Sequence, residues 1–344
     1  MGSKLDAFFA DLNKKTKESI VTMGMSDFTY QRIPFTSPRM NYMTYGGLPV
    51  GKLIEFYGEE HGGKTTTALD IIANYQNMFP DKAVLFIDAE NTYDVEWANK
   101  LGVNTDTLWI MQPKSQSAED IFQIICDAIE SGDGELGLWV LDSLGVLLSQ
   151  QEWEKDMDEK TYGGIALAAT KFSKKVEMLM SKYRSTGIII NQLRDKINST
   201  YGGTDTPGGR ALKHVYSVRI QFSRGQFFDD SGKPLSRSSG EPYGNFVMAN
   251  ATKNKTAPPT RHLGQYRIRY DIGIDYLTDL LDVALLYGIL EQKGAWYKLI
   301  DIETGEVLKD SLQGMNNVSK LLSEDTELLK RVEELVDNKS KIDK

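Results

Sequence analysis

Apolar and polar positions along this chain follow two periods, and the switching between them outlines a fold. Leu5, Phe8, Phe9 and Leu12 fall at helical spacing and predict an amphipathic helix over residues 4–19. Residues 20–48, with Pro34, Pro38 and the Gly46-Gly47 pair, read as irregular. Short apolar runs then alternate with helical patterns. Strands are predicted at 53–57, 83–87, 136–141 and 187–190, and helices at 66–78, 117–130 and 165–183. This alternation predicts an α/β fold with a mostly parallel twisted sheet flanked by helices. The strands are near-continuous apolar runs, as burial on both faces requires.

After residue 210 the pattern changes. Segments 215–222, 245–251 and 265–270 alternate as antiparallel strands do, and the polar stretch 229–241 reads as a hairpin tip. From about 275 a small α-rich domain begins, with Leu277, Leu280, Leu281, Ala284 and Leu285 on one helical face. The expected organisation is an N-terminal helix and linker over 1–32, a core over 33–274, and a small C-terminal domain and tail over 275–344.

Composition narrows the picture. The 344 residues are 40% hydrophobic and 26% charged, ordinary for a globular protein with a sizeable core. No apolar run approaches the ~20 residues of a membrane span. Asp6, Asp11 and several lysines interrupt any signal-peptide pattern, so no membrane partner is expected. The single cysteine, Cys126, cannot form an internal disulfide and fits a reducing cytoplasm. The net charge of −8 gives no support for nucleic-acid binding, so any such surface must be local. Residues 193–220 meet that demand: Arg194, Lys196, Arg210, Lys213 and Arg219 stand against only Asp195 and Asp205. Within them, 198–209 is rich in Gly, Ser and Thr and contains Tyr201. It reads as a loop that orders when phosphates arrive, with the Gly208-Gly209 amides as further phosphate contacts.

The strongest local signal is Gly58-Glu59-Glu60-His61-Gly62-Gly63-Lys64-Thr65, a complete G-x-x-x-x-G-K-[ST] between a predicted strand and a predicted helix that opens at Thr66. Glycines let consecutive N–H groups face one anion, and the helix N-terminus adds its partial charge. Lys64 is placed to reach the β/γ-phosphates and the Thr65 hydroxyl to bind Mg²⁺. His61 is a variable position of the loop, with no second ligand at metal spacing. The run 138–141 ends in Asp142, the second carboxylate such a loop needs for Mg²⁺. The run Phe86-Ile87-Asp88-Ala89-Glu90 ends in another, and Glu90 is the candidate for orienting the attacking water.

At this point the residues resemble one family, the bacterial and phage RecA recombinases. The likeness extends through Gly47-Leu48-Pro49-Val50-Gly51, Phe86 to Glu90, Asp94 to Val103, Asn191-Gln192-Leu193-Arg194, Gly208 to Lys213, Lys253-Asn254-Lys255 and Lys293 to Tyr297, over about residues 4–335. The resemblance implies an ATP- and Mg²⁺-dependent strand-exchange recombinase that forms a filament on single-stranded DNA and pairs it with homologous double-stranded DNA. It implies that Glu90 is catalytic, that Gln192 senses the γ-phosphate and signals to the DNA loop after it, and that Asp94, Trp97 and Tyr270 hold the adenine. It implies that Lys253 and Lys255 reach the ATP of a neighbouring protomer, acting as arginine fingers do. Ile197 matches a residue that wedges between bases. A first DNA loop is expected near 155–164, with Tyr162 and Gly163 against the DNA and Lys174 on the helix that follows. Leu167 replaces a frequent arginine, His214 an aromatic, and the tail after 337 lacks a strong acidic run.

Two other readings share parts of this pattern. A ring helicase would use the same loop, Asp142 and Glu90, but an arginine finger rather than the Lys253/Lys255 pair. A DNA-coating or mediator protein that binds ATP without hydrolysing it would not need Lys64, Thr65, Glu90, Asp142 and Gln192 together.

Overall fold

The structure, a computed structural model, describes residues 4–16, 21, 30–156, 164–195, 203–235 and 240–341. It divides into two compact units, Met1–Gln31 and Arg32–Lys344. In the first, helix α1 (Lys4–Thr16) forms as its spacing predicts. It buries none of its residues: Leu5 and Phe8 are exposed.

The second unit is built on a nine-stranded sheet. Its strands in chain order are β1 (Leu53–Gly58), β2 (Ala83–Asp88), β3 (Leu108–Met111), β4 (Leu136–Asp142), β5 (Thr186–Gln192), β6 (Val218–Phe228), β7 (Gly244–Asn254), β8 (Leu263–Arg269) and β9 (Gly273–Ile274). The spatial order is β9-β8-β7-β6-β1-β5-β4-β2-β3. From β6 to β3 every pairing is parallel, and from β6 to β9 every pairing is antiparallel. The parallel half is therefore the one the βα alternation predicted, and the antiparallel half the one predicted beyond residue 210.

Side chains alternate across the sheet and feed two apolar layers. Ile54 and Phe56 pack with Ala68, Ile71 and Ile72 of helix α3 (Lys64–Met78). Leu53 and Trp139 pack with Ile121 and Ile125 of α5 (Ala118–Ser131) and Phe172 and Val176 of α6 (Gly164–Tyr183). Between α3 and α5 lies the short helix α4 (Val95–Lys100). Strands β4 and β5 are in register at Trp139 and Gly187, and the indole lies over the glycine so closely that a Cβ at 187 would sit 2.2 Å from the ring.

Several features differ from the sequence-based expectations, among them strand β3 and helix α4, where no element was predicted. Residues 20–48 are not wholly irregular: Pro38–Thr44 forms helix α2, capped by the Ser37 side chain and opened by Pro38. The strand expected from 215 begins at Val218, because residues Gly209–Val215 form helix α7. The C-terminal part is less purely helical than expected. Besides α8 (Tyr276–Tyr287), α9 (Met315–Glu324) and α10 (Thr326–Ser340) it holds an antiparallel sheet of β10 (Leu290–Lys293), β11 (Trp296–Ile300) and β12 (Val307–Gln313). It has its own apolar cluster, including Leu281, Leu299, Val318 and Leu335. It is tied to α2 through buried Asp279, which accepts from the Ser37 hydroxyl and from the Arg39 N–H at 3.1 Å. Burial pushes the Asp279 carboxyl up to about 7. Among the described residues no helix is long and apolar enough to cross a membrane.

Candidate functional site

A cleft of about 780 Å³ opens at the C-terminal ends of the parallel strands, where open α/β sheets bind ligands. Its floor is the turn between β1 and α3. Gly58 ends β1 at φ 150°, and a Cβ there would lie 1.9 Å from the Phe222 carbonyl oxygen, so only glycine fits. Glu60, His61, Gly62, Gly63, Lys64, Thr65 and Thr66 line the cleft. Gly63, in the left-handed region, caps α3, whose first amides point into the cradle. A helix N-terminus with a curled backbone suits a polyphosphate. The Lys64 amine donates to the Glu59 carbonyl at 2.6 Å and the Gly58 carbonyl at 3.2 Å. Burial lowers its pKa, opposed chiefly by the charge of Asp142.

The other wall comes from neighbouring strand ends. Asp142, almost fully buried at the end of β4, accepts from the Thr65 hydroxyl at 2.6 Å. Burial pushes its carboxyl up to about 7, against the pull of that hydrogen bond. A hydroxyl and a buried carboxylate that calls for a cation are hard oxygen donors. They fit Mg²⁺, which keeps water and phosphate oxygens as its remaining ligands. Glu90 follows β2, and its Oε1 accepts from the Ser143 hydroxyl and, at 3.0 Å, from Gln192 Nε2 at the end of β5. The structure thus brings Lys64, Thr65, Asp142, Glu90 and Gln192 into one cleft.

At the far side Trp97 and Tyr270 line the cleft. The Trp97 Nε1 donates to Thr66 Oγ1 at 3.3 Å, and the Tyr270 hydroxyl to Asn245 Oδ1 at 2.9 Å. Gly58, Glu59 and Asp94 do not form its wall. Gly58 and Glu59 shape the turn beneath it, and Asp94 caps α4 by accepting the Glu96 and Trp97 N–H groups. Sequence reasoning missed Thr92, Arg224, Asn245 and Ile268, which also line it. It also passed over Asp88, buried behind Glu90, which accepts from the Thr92 and Tyr93 N–H groups and from Gln112. The strand-end pattern that singled out Glu90 contains Asp88 as well, so that signal was present.

Lys253 and Lys255, at and just past the end of β7, do not line this cleft. Their amines donate to the last carbonyls of α7: Lys253 to Lys213 at 2.5 Å and His214 at 3.2 Å, Lys255 to His214 at 2.7 Å. Burial lowers the Lys253 pKa to about 8, with Lys255 and Arg219 adding to the effect.

Just after Gln192 a short antiparallel ribbon pairs Arg194 with Asp205 and Asp195 with Thr204. Arg194 donates to the Gly145 carbonyl, and Lys213 pairs with Asp205. Gly208 caps α7, and Gly208 and Gly209 both have positive φ. Arg210 and Lys174 are exposed. Tyr162, Gly163, Lys196, Ile197 and Tyr201 lie outside the described residues.

Comparison with known proteins agrees with this architecture. The RecA N-terminal domain matches residues 4–275 and the RecA C-terminal domain residues 278–341. Protein RecA of Ruminococcus albus is 34% identical over 290 residues, 84% of this chain and 67% of that protein. Protein RecA of Streptomyces rimosus is 33% identical over 97% of this chain and 84% of its own length. Protein RecA of one Thermus thermophilus strain is 33% identical over 85% of this chain and 82% of its own length. With both domain types in order and a phosphate-loop cleft in the first, the chain belongs to the RecA family: it is a DNA recombinase of recombination and repair and a DNA-dependent ATPase.

Proposed function

We propose that the cleft binds ATP with Mg²⁺ and hydrolyses it when a filament of this chain lies on single-stranded DNA, which it exchanges with a homologous duplex in the cytoplasm. The loop Gly58–Thr65 and the head of α3 hold the phosphates, with Lys64 on the β/γ-phosphates. Thr65 and Asp142 hold Mg²⁺, which neutralises phosphate charge. Glu90 orients the attacking water and Gln192 faces the γ-phosphate. Trp97 and Tyr270 enclose the adenine, with Asp94 beside it. Lys253 and Lys255 complete the site of a neighbouring protomer. Arg194, Lys196, Ile197, Gly208, Gly209, Arg210 and Lys213, with Tyr162, Gly163 and Lys174 of the first loop region, meet DNA without reading its sequence.

One observation carries this reading: Glu90 and Gln192 share a hydrogen bond of 3.0 Å at the cleft, and Gln192 opens the basic segment. A change at the DNA loop therefore reaches the group that orients water. The test is hydrolysis with and without single-stranded DNA, beside strand exchange, for the wild type and Lys64→Ala. The wild type is stimulated by DNA and exchanges strands; Lys64→Ala does not hydrolyse ATP. Wild-type hydrolysis in Lys64→Ala would refute the site.

A further inference from the structure

Strand β1 reads Leu53-Ile54-Glu55-Phe56-Tyr57, and its one charged side chain is fully buried within the sheet. A carboxylate there carries a desolvation cost that an apolar side chain of similar volume would not, so packing alone does not explain it. Its two oxygens serve different partners. Oε2 pairs with the Arg219 guanidinium, and Oε1 accepts from Asn191 Nδ2 at 3.0 Å.

Both partners continue to the foot of the DNA loop. Asn191 Nδ2 also donates to the Pro207 carbonyl at 3.0 Å, and Arg219 reaches the Thr206 hydroxyl at 3.4 Å. Both also continue toward the groups that serve the phosphate. Asn191 Oδ1 accepts the Gln192 N–H at 3.2 Å, and Gln192 in turn holds Glu90. Arg219 stands directly across the β6/β7 pairing from Lys253. Its guanidinium covers the Tyr57 ring at 4.7 Å, whose hydroxyl meets Thr252 beside Lys253 at 2.9 Å. One buried carboxylate thus holds two arms, each with one contact to the loop foot and one toward the reaction.

We propose that Glu55, through Asn191 and Arg219, is a positioning residue for DNA-dependent hydrolysis. It makes Gln192 and the Lys253 strand respond together to the state of the loop. The inference rests on the reading above that Gln192 and Lys253 serve the γ-phosphate. The physical ground is that a fully buried carboxylate tied to both Asn191 and Arg219 tolerates few arrangements, so displacement of Thr206 and Pro207 is passed on rather than absorbed.

Glu55→Gln keeps the side chain's volume and an acceptor for Asn191 while removing the ion pair. Hydrolysis with and without poly(dT), binding of poly(dT) and the thermal midpoint are measured for the full chain. Binding and DNA-free hydrolysis are expected to stay near wild type, while stimulation by DNA falls about tenfold, within the usual range of coupling between sites. Arg219→Lys, which keeps the ion pair, retains more stimulation than Arg219→Met. Wild-type stimulation in Glu55→Gln overturns the proposal. So does a parallel loss of binding, basal hydrolysis and thermal midpoint, which would mark a purely structural role. If Glu55→Gln does not fold, Asn191→Ser decides by the same readouts. Glu90→Gln, run alongside, separates the two readings. If it hydrolyses ATP normally, the site assignment fails. If it is inactive while Glu55→Gln is stimulated normally, only the positioning role fails.

Discussion

Replacing Lys253 and Lys255 together by alanine should leave a protomer that binds ATP and cannot complete hydrolysis in a neighbour's cleft. In a single chain both amines sit on the terminal carbonyls of α7, and neither residue lines the cleft. Removing cations that neutralise a phosphoryl transition state in trans costs about 10³-fold or more in rate. Glu90→Gln should be similarly inactive, for a defect on the opposite side of the same interface. Mixed in equal amounts on single-stranded DNA, the two variants form head-to-tail interfaces of four kinds. About one in four pairs an intact Glu90 with intact lysines, so about a quarter of wild-type activity should return, far above either variant alone. A coupled ATPase assay across mixing ratios should show a maximum at equal amounts. Deleting residues 1–19 should abolish both assembly and recovery. Normal hydrolysis by the lysine variant refutes the shared site, as does a mixture without recovery whose two proteins still co-assemble.

Trp97 lies at the cleft, so binding of an ATP analogue should change its fluorescence, and Trp97→Phe should keep binding while losing most of the signal; an unchanged signal in the variant assigns it to another of the five tryptophans. Arg194→Ala, Lys196→Ala and Arg210→Ala should each weaken single-stranded DNA binding for all sequences and flatten the slope of log K against log salt by about 0.7; three wild-type slopes would move the DNA site elsewhere. Burial raises the Asp70 carboxyl to about 6 and that of Asp279 to about 7, above their unfolded values. The unfolded chain releases these protons first, so stability should fall as pH rises from about 4 to about 7, by roughly 3–4 kcal/mol per group at most. Denaturant titrations at pH 4.5 and 7.5 should show a smaller fall in Asp279→Asn, and an equal fall would refute the assignment.

The inner strands of the parallel half were legible because they are apolar runs buried within the sheet, whereas edge strand β3, with Trp109 and Ile110 exposed, gave no such run and was not predicted. The phosphate loop was legible because its chemistry needs glycine, lysine and threonine at fixed spacing. Asp142 and Glu90 followed because strand ends carry the ligands in such folds. Helix α2 was hidden because Pro34 and Pro38 read as breakers, although Pro38 opens the helix and Ser37 before it is a helix-start signal. The C-terminal sheet was hidden because β12 is largely exposed and shows no apolar alternation. Arg224, Asn245 and Ile268 were missed because they come from the antiparallel half, far along the chain, and only the closing of the sheet brings them to the cleft. Glu55 lay in plain view as a charge inside an apolar run, but its partners are 136 and 164 residues away, and no local pattern links them.

The close fit of Trp139 over Gly187 has a consequence for how such chains diverge. With 2.2 Å between a would-be Cβ and the indole, the two positions cannot vary independently: any side chain at 187 requires a smaller one at 139. Relatives with a side chain at 187 should therefore carry an aliphatic residue at 139, and a lineage passing between the two states must shrink the indole before it fills the glycine. That order of substitution is the one path on which the strand pair beneath the cleft stays closed throughout.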